Sequence, residues 1–82
     1  MRAPKGTPRV GTRVVYQPNP ISHTLYTKPP RIGERGTVTT VALPGGRGRY
    51  IPGPGGGLLY VKWDRHGTMG VSPRDVKRVG KT

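Results

Sequence analysis

The clearest pattern in the chain is LLYVKWD, residues 58–64, where Leu59, Val61 and Trp63 alternate with Tyr60, Lys62 and Asp64. A period of two marks a strand with one covered face, so Trp63 is read as core rather than as an exposed stacking platform. Arg65-His66-Gly67 supplies a short hairpin turn, with glycine for the positive-φ position. The chain then pairs back through TMGVS, residues 68–72, with Met69 and Val71 inward. An earlier strand is expected in VGTRVVY, residues 10–16, where Val14 and Tyr16 share a face with Val10 and Thr12, and Arg13 and Val15 take the other. The β-branched run Thr37 to Val41 is a further strand. Val38 and Val41 are an odd number apart, which demands a bulge or cover on both faces. In SPRDV, residues 72–76, Ser72 is a cap and Pro73 a first-turn residue, predicting one turn of 3₁₀ type before Val76 and Val79 close the core.

Between these strands the chain is rich in glycine and proline. Gln17 to Arg31 carries four prolines and reads as an irregular loop, with Ile21, Leu25 and Tyr26 tucked against the core. Gly33 and Gly36 bracket a tight turn at Glu34-Arg35. PGGRGRYIPGPGGG, residues 44–57, is half glycine and reads as a long mobile loop. Removing residues 45–56 is expected to leave the fold intact. Residues 1–9 read as a flexible basic tail, residues 80–82 as a short C-terminal tail, and residues 10–79 as one folded unit. No stretch has helical amphipathicity over ten residues. The expectation is an all-β fold, a small five-stranded barrel whose strong bending removes free edges.

Charge changes the picture from fold to partner. The 82 residues hold 15 Lys and Arg against 3 acidic residues, a formal net charge of +12. Such self-repulsion disfavours compaction and implies an anionic partner. Neither an amphipathic helix nor an apolar anchor is present for a membrane, and no apolar h-region follows MRAPKGTPRV, so no secretory signal is expected. The absence of cysteine suits a reducing, cytoplasmic setting and removes disulfides and Cys-based zinc sites. Nucleic acid is the leading partner on composition.

Catalysis finds little support. His23 and His66 lie in separate loops, and Glu34, Asp64 and Asp75 are scattered, so no positioned proton carrier or metal-ligand set is expected. The Asp side chains are read as turn caps or arginine partners. Gly53 to Gly57 precedes a strand rather than a helix and lacks the lysine of a phosphate-binding loop. The protein is therefore read as a non-enzyme without cofactor or metal.

The order of G-T-R-V-V, I-G-E-R-G-T-V and Y-V-K-W-D resembles an SH3-like small barrel, and within it a family of small bacterial and phage domains of unassigned function, over residues 10–79. A second likeness is to an archaeal and eukaryotic large-subunit ribosomal barrel, carried by Asn19-Pro20, His23, Arg31, Gly33, Gly36, Thr37, Val38, Pro73 and Lys77. That likeness implies contact with structured RNA, although the spacing after residue 43 departs from it. The plasmid-type dihydrofolate reductase barrel is set aside, because Met69 to Pro73 lacks the glutamine and tyrosine of its active-site strand.

Two sets of residues carry the binding expectation. Arg47, Arg49 and Tyr50 stand in the glycine-rich loop, where a basic arm can reach a groove or backbone and a tyrosine can stack. Tyr60, Lys62, Arg65, Arg74, Lys77, Arg78 and Lys81, with Arg13, are expected to form a cationic patch on the barrel. The expected function is double-stranded DNA binding through phosphates with little sequence specificity, as in a nucleoid-associated protein. The alternatives are a structured-RNA or ribosome-associated role, and docking to an acidic protein. Self-association is open as well, because a small core gains from it.

Overall fold

The computed structural model describes residue 3 and residues 5–79. Period-two alternation produces strands at 13–16, 58–63 and 67–71 close to expectation, whereas the expected strand 37–41 is cut at Thr39-Thr40 between two sheets. The strands are β1 (Arg13–Tyr16), β2 (Arg35–Val38), β6 (Leu58–Trp63), β7 (Gly67–Val71) and β8 (Val76–Arg78), with β3 (Val41–Leu43), β4 (Gly46–Gly48) and β5 (Tyr50–Ile51) lying between β2 and β6. A short helix, α1 (Pro20–Leu25), and two 3₁₀ turns, Pro54–Gly56 and Pro73–Asp75, complete the elements. The fold is all-β, a small sheet curled toward a barrel.

Every pairing is antiparallel: β8 to β1, β1 to β2, β2 and β5 to β6, and β6 to β7. β2 and β5 lie end to end along one edge of β6, so the curled sheet has five strand positions. The inner face collects Val14, Tyr16, Val38, Leu59, Val61, Trp63, Val71 and Val76, with Tyr26 and Met69 packed against them. Tyr16 lies at its centre, edge-on to Trp63 at 5.7 Å and to Tyr26 at 6.2 Å. Offset and edge-to-face aromatic pairs of this kind add to what apolar burial supplies.

Two glycines have separate reasons. Gly67 adopts φ 87° and closes the β6–β7 turn as expected. Gly36 serves a close approach, since a Cβ there would stand 2.6 Å from Val61 Cγ1 and 2.8 Å from the Lys62 carbonyl oxygen. The tight turn is displaced one step from its expected place: Glu34 N donates to Arg31 O, while Arg35 and Gly36 already belong to β2.

Several expectations are corrected. The loop 17–31 holds α1, because Asn19 caps it (Oδ1 accepts from Ser22 N at 2.7 Å) and Pro20 occupies the first turn, where its missing N–H costs nothing. Ile21 and Leu25 are 75% and 78% exposed rather than tucked; Tyr26 and Pro30 anchor the loop instead. Val10 is exposed and Val79 only half-buried, so neither closes the core. The expected tail is anchored at residues 6–8: Thr7 and Pro8 are buried, Arg49 Nε donates to Pro8 O at 2.8 Å, and Arg78 donates to Gly6 O at 3.1 Å.

The stretch 44–57 is built into structure as well. Val41–Leu43 and Gly46–Gly48 form a hairpin, Tyr50 and Ile51 pair with β6, and the Tyr50 hydroxyl donates to Gly56 O at 2.8 Å. Deleting residues 45–56 would therefore remove part of the sheet and not a free loop. The odd spacing of Val38 and Val41 has the same origin, since the chain leaves the sheet between them.

Candidate nucleic-acid interface

The outer face of the sheet follows from the registers. Lys77, Val15 and Arg35 stand in one row across β8, β1 and β2. Arg13, Thr37, Lys62 and Thr68 stand in the next across β1, β2, β6 and β7. Tyr60 lies opposite Gly70 in the row beyond, half-buried along that glycine. Lys62 and Lys77 are both exposed, on strands three steps apart and in neighbouring rows.

Arg13 is held on this face by a two-pronged contact, Nη1 to Asp64 Oδ1 at 2.9 Å and Nη2 to Oδ2 at 2.7 Å, with a further donation to Thr37 Oγ1. The hydrogen bond from Arg13 is the main reason the Asp64 carboxyl sits below the usual carboxylate range. Arg13 therefore has less charge to offer than its position suggests, and Asp64 is an arginine partner as expected.

The expected single patch is divided by the fold. Arg65 lies at one end of the barrel with three residues that sequence reasoning did not select, Arg31, Arg35 and His66. Two adjoining hollows there share Arg31, Glu34 and Arg65. The register Gly36↔Trp63 brings the 31–34 turn beside the 64–66 turn. Arg65 N then donates to Glu34 Oε2 at 2.9 Å, and Asp64 N to Arg35 O at 2.9 Å. The alternation in IGERGTV places Arg35 outward, but only the pairing of distant turns makes the cluster.

Arg74 and Arg78 lie elsewhere, over the packed N-terminal segment. Arg74 borders a hollow with Lys5, Gly6, Thr7 and Pro8, and Arg78 donates to Gly6 O. Arg49 holds the same segment through Pro8, so it is a clamp rather than part of a free arm. Tyr50 is half-buried and spends its hydroxyl on Gly56. Arg47 is exposed on β4, where Nε and Nη2 reach Thr40 Oγ1 at 3.2 Å and Thr40 O at 2.9 Å. Lys77 stays on the sheet face, and Lys81 lies outside the described residues.

The interior polar groups are structural. Asp75 is 1% exposed and accepts from the Tyr26 hydroxyl, which in turn accepts from Ser72 N at 2.8 Å. Asp75 is thus bound to a tyrosine and not to one of the arginines. Burial, and then the Asp75 charge, pushes the Tyr16 hydroxyl up to about 12; burial and the Asp75 hydrogen bond raise that of Tyr26 further. Tyr16 OH and His23 Nδ1 are 3.0 Å apart, which fixes the end of α1 to the core. Among the described residues, no His, Cys, Asp and Glu cluster has metal-site geometry, and no helix is long and apolar enough to cross a membrane.

Comparison with protein-family models, curated proteins and solved structures finds no match for this chain.

Proposed function

We propose that the protein is an SH3-like small barrel that binds double-stranded DNA through backbone phosphates, with little sequence discrimination. The supporting observation is the fate of the 3 acidic residues in a chain of net charge +12. Asp75 is buried against Tyr26, Asp64 is engaged by Arg13, and Glu34 accepts from the Arg65 amide. Each acid has a partner within the chain, and one ion pair, on the surface, is formed among the described residues. The cations of the sheet face and barrel end outnumber the acids beside them, Glu34 and Asp64, an excess that releases counterions when laid against phosphates.

The aromatic residues favour a duplex over a single strand. Single-stranded nucleic acid is bound by stacking bases on open rings. Here Tyr16 and Trp63 are buried, Tyr26, Tyr50 and Tyr60 are half-buried, and there is no Phe. The test is fluorescence anisotropy with a labelled duplex DNA, the matching single strand and a hairpin RNA. The reading requires the duplex DNA to bind tightest.

A second reading is favoured by one feature, the exposed apolar side chains of Ile21 and Leu25 on α1 beside a hollow lined in part by Leu25, Pro54 and Leu58. Apolar surface of this kind suits a protein contact. In that reading the barrel docks on a protein partner, and random nucleic acid competes poorly for it.

A further inference from the structure

One backbone position of the sheet is shared by two residues far apart in the chain. Opposite Tyr60, an uninterrupted antiparallel partner would give its N–H to the Tyr60 carbonyl and take the Tyr60 N–H on its own carbonyl. Here Thr39 N donates to Tyr60 O at 3.0 Å, whereas Arg49 O accepts from Tyr60 N at 2.8 Å. On one side of this point Val38 pairs with Val61, and on the other Tyr50 pairs with Leu59. The register is continuous across the gap. β2 and β5 are two halves of one strand, and residues 40–48 are an excursion that leaves and re-enters at a single position.

The excursion is a two-stranded ribbon. Val41 faces Gly48, Ala42 faces Arg47 and Leu43 faces Gly46, with Pro44-Gly45 at the tip. Leu43 folds over Gly48, where a Cβ would lie 2.9 Å from Leu43 Cδ1, so one side of the ribbon is closed. The other side carries Ala42 and the exposed Arg47, whose guanidinium is braced across the ribbon by Thr40. The glycines at 45, 46 and 48 keep the ribbon thin. Leu43 and Pro44 near its tip share a hollow of about 380 Å³ with Tyr50, Ile51 and Pro52.

We infer that residues 40–48 form a ribbon inserted into a continuous strand, and that this ribbon enters the major groove of duplex DNA, with Arg47 toward the base edges. The inference rests on the duplex-binding reading, names the element that would lie in the groove, and adds to phosphate binding a preference for guanine at one position. A two-stranded ribbon fits the B-DNA major groove, about 12 Å wide, and is too broad for the minor groove, about 6 Å wide. The major groove of A-form RNA is too narrow for protein elements to read, so the ribbon also favours DNA over duplex RNA. Arginine is the side chain best matched to paired acceptors on a guanine edge.

The test uses the full chain, a variant lacking residues 39–48, which joins Val38 to Arg49 and keeps the Arg49 contact with Pro8, and Arg47→Ala, which keeps the ribbon. The deletion variant is expected to retain the far-UV circular dichroism of the sheet and a cooperative thermal transition, because the remaining register is unbroken. Its affinity for a 20-base-pair duplex is expected to fall about tenfold or more, and that of Arg47→Ala to fall about fivefold or more, in line with the loss of a bidentate base contact. Methyl green, which occupies the major groove, should compete with the full chain, and netropsin, which occupies the minor groove, should not. Loss of folding in the deletion variant overturns the insertion. Unchanged duplex affinity in a folded deletion variant, or in Arg47→Ala, overturns the groove assignment while leaving phosphate binding by the barrel in place. Failure of the unmodified chain to bind duplex DNA overturns the underlying reading.

Discussion

The Tyr26 hydroxyl donates a 2.5 Å hydrogen bond to Asp75 Oδ2, tying the loop after α1 to the 3₁₀ turn that precedes the last strand. The Tyr26 hydroxyl oxygen in turn accepts from Ser72 N. A carboxylate that is 1% exposed needs such a donor, because leaving it unsatisfied costs its desolvation. Tyr26→Phe is expected to lower unfolding free energy by about 1–3 kcal/mol, the usual cost of an orphaned buried acceptor. Urea denaturation followed by tryptophan fluorescence measures it, and an unchanged midpoint would show the contact to be dispensable.

Alkaline pH should weaken the fold. Tyr16 has its hydroxyl pushed up to about 12 from an ordinary 10.0, and Tyr26 is raised as well. A raised value means that the native state holds its protons more tightly than the unfolded chain. The associated stability is therefore complete below pH 10 and is lost as pH rises toward the native value. The urea midpoint is expected to fall between pH 10 and 12, and to fall less steeply in Tyr16→Phe than in the unmodified protein.

Gly36→Ala is expected to be strongly destabilising, although alanine usually favours ordered backbone. The added methyl would meet Val61 Cγ1, Lys62 O and Trp63 Cε3, each within 2.9 Å, and two of these belong to buried side chains. Overpacking of this kind costs about 1–3 kcal/mol. A thermal midpoint equal to that of the unmodified protein would mean that β2 and β6 can separate freely at this point.

The barrel-end cluster makes a separable electrostatic claim. Arg31 and Arg65 border the same two hollows, and the backbone there is fixed by the Arg65 N–H to Glu34 bond, which side-chain truncation leaves intact. The double variant Arg31→Ala, Arg65→Ala is expected to fold normally and to bind duplex DNA with a salt slope reduced by about 2, one for each lost phosphate contact. An unchanged slope would place the phosphate contacts elsewhere on the surface.

The legible part of the structure was the part written locally. Leu59, Val61 and Trp63 announce β6 because side-chain alternation is a property of neighbouring residues. Ser72 and Pro73 likewise announce their turn. Asn19-Pro20 is an equally local cap signal, but the prolines around it point to irregular chain, and α1 was missed for that reason. Features that depend on distant partners were hidden. Thr7 and Pro8 are buried because Arg49 and Arg78 reach back over residues 6 to 8, and nothing in the segment itself reports this. The shared place of Thr39 and Arg49 opposite Tyr60 is invisible for the same reason, so glycine content alone made a ribbon look like a mobile loop. Of the candidate site, Lys62 and Arg13 were placed on the outer face by parity, while the place of Lys77 beside Val15 and the Arg31, Arg35, Arg65 and His66 cluster required the strand registers.

The central claim is that uncompensated cations bind duplex phosphates, and its most direct test is the salt dependence of duplex binding. Affinity for a labelled 20-base-pair duplex should be measured by anisotropy from about 50 to 300 mM salt. The account predicts a straight line of log affinity against log salt with a slope of about −4 or steeper, as neutralising several phosphates at roughly −0.9 each requires. A slope near zero, or no binding at the low-salt end, would contradict it.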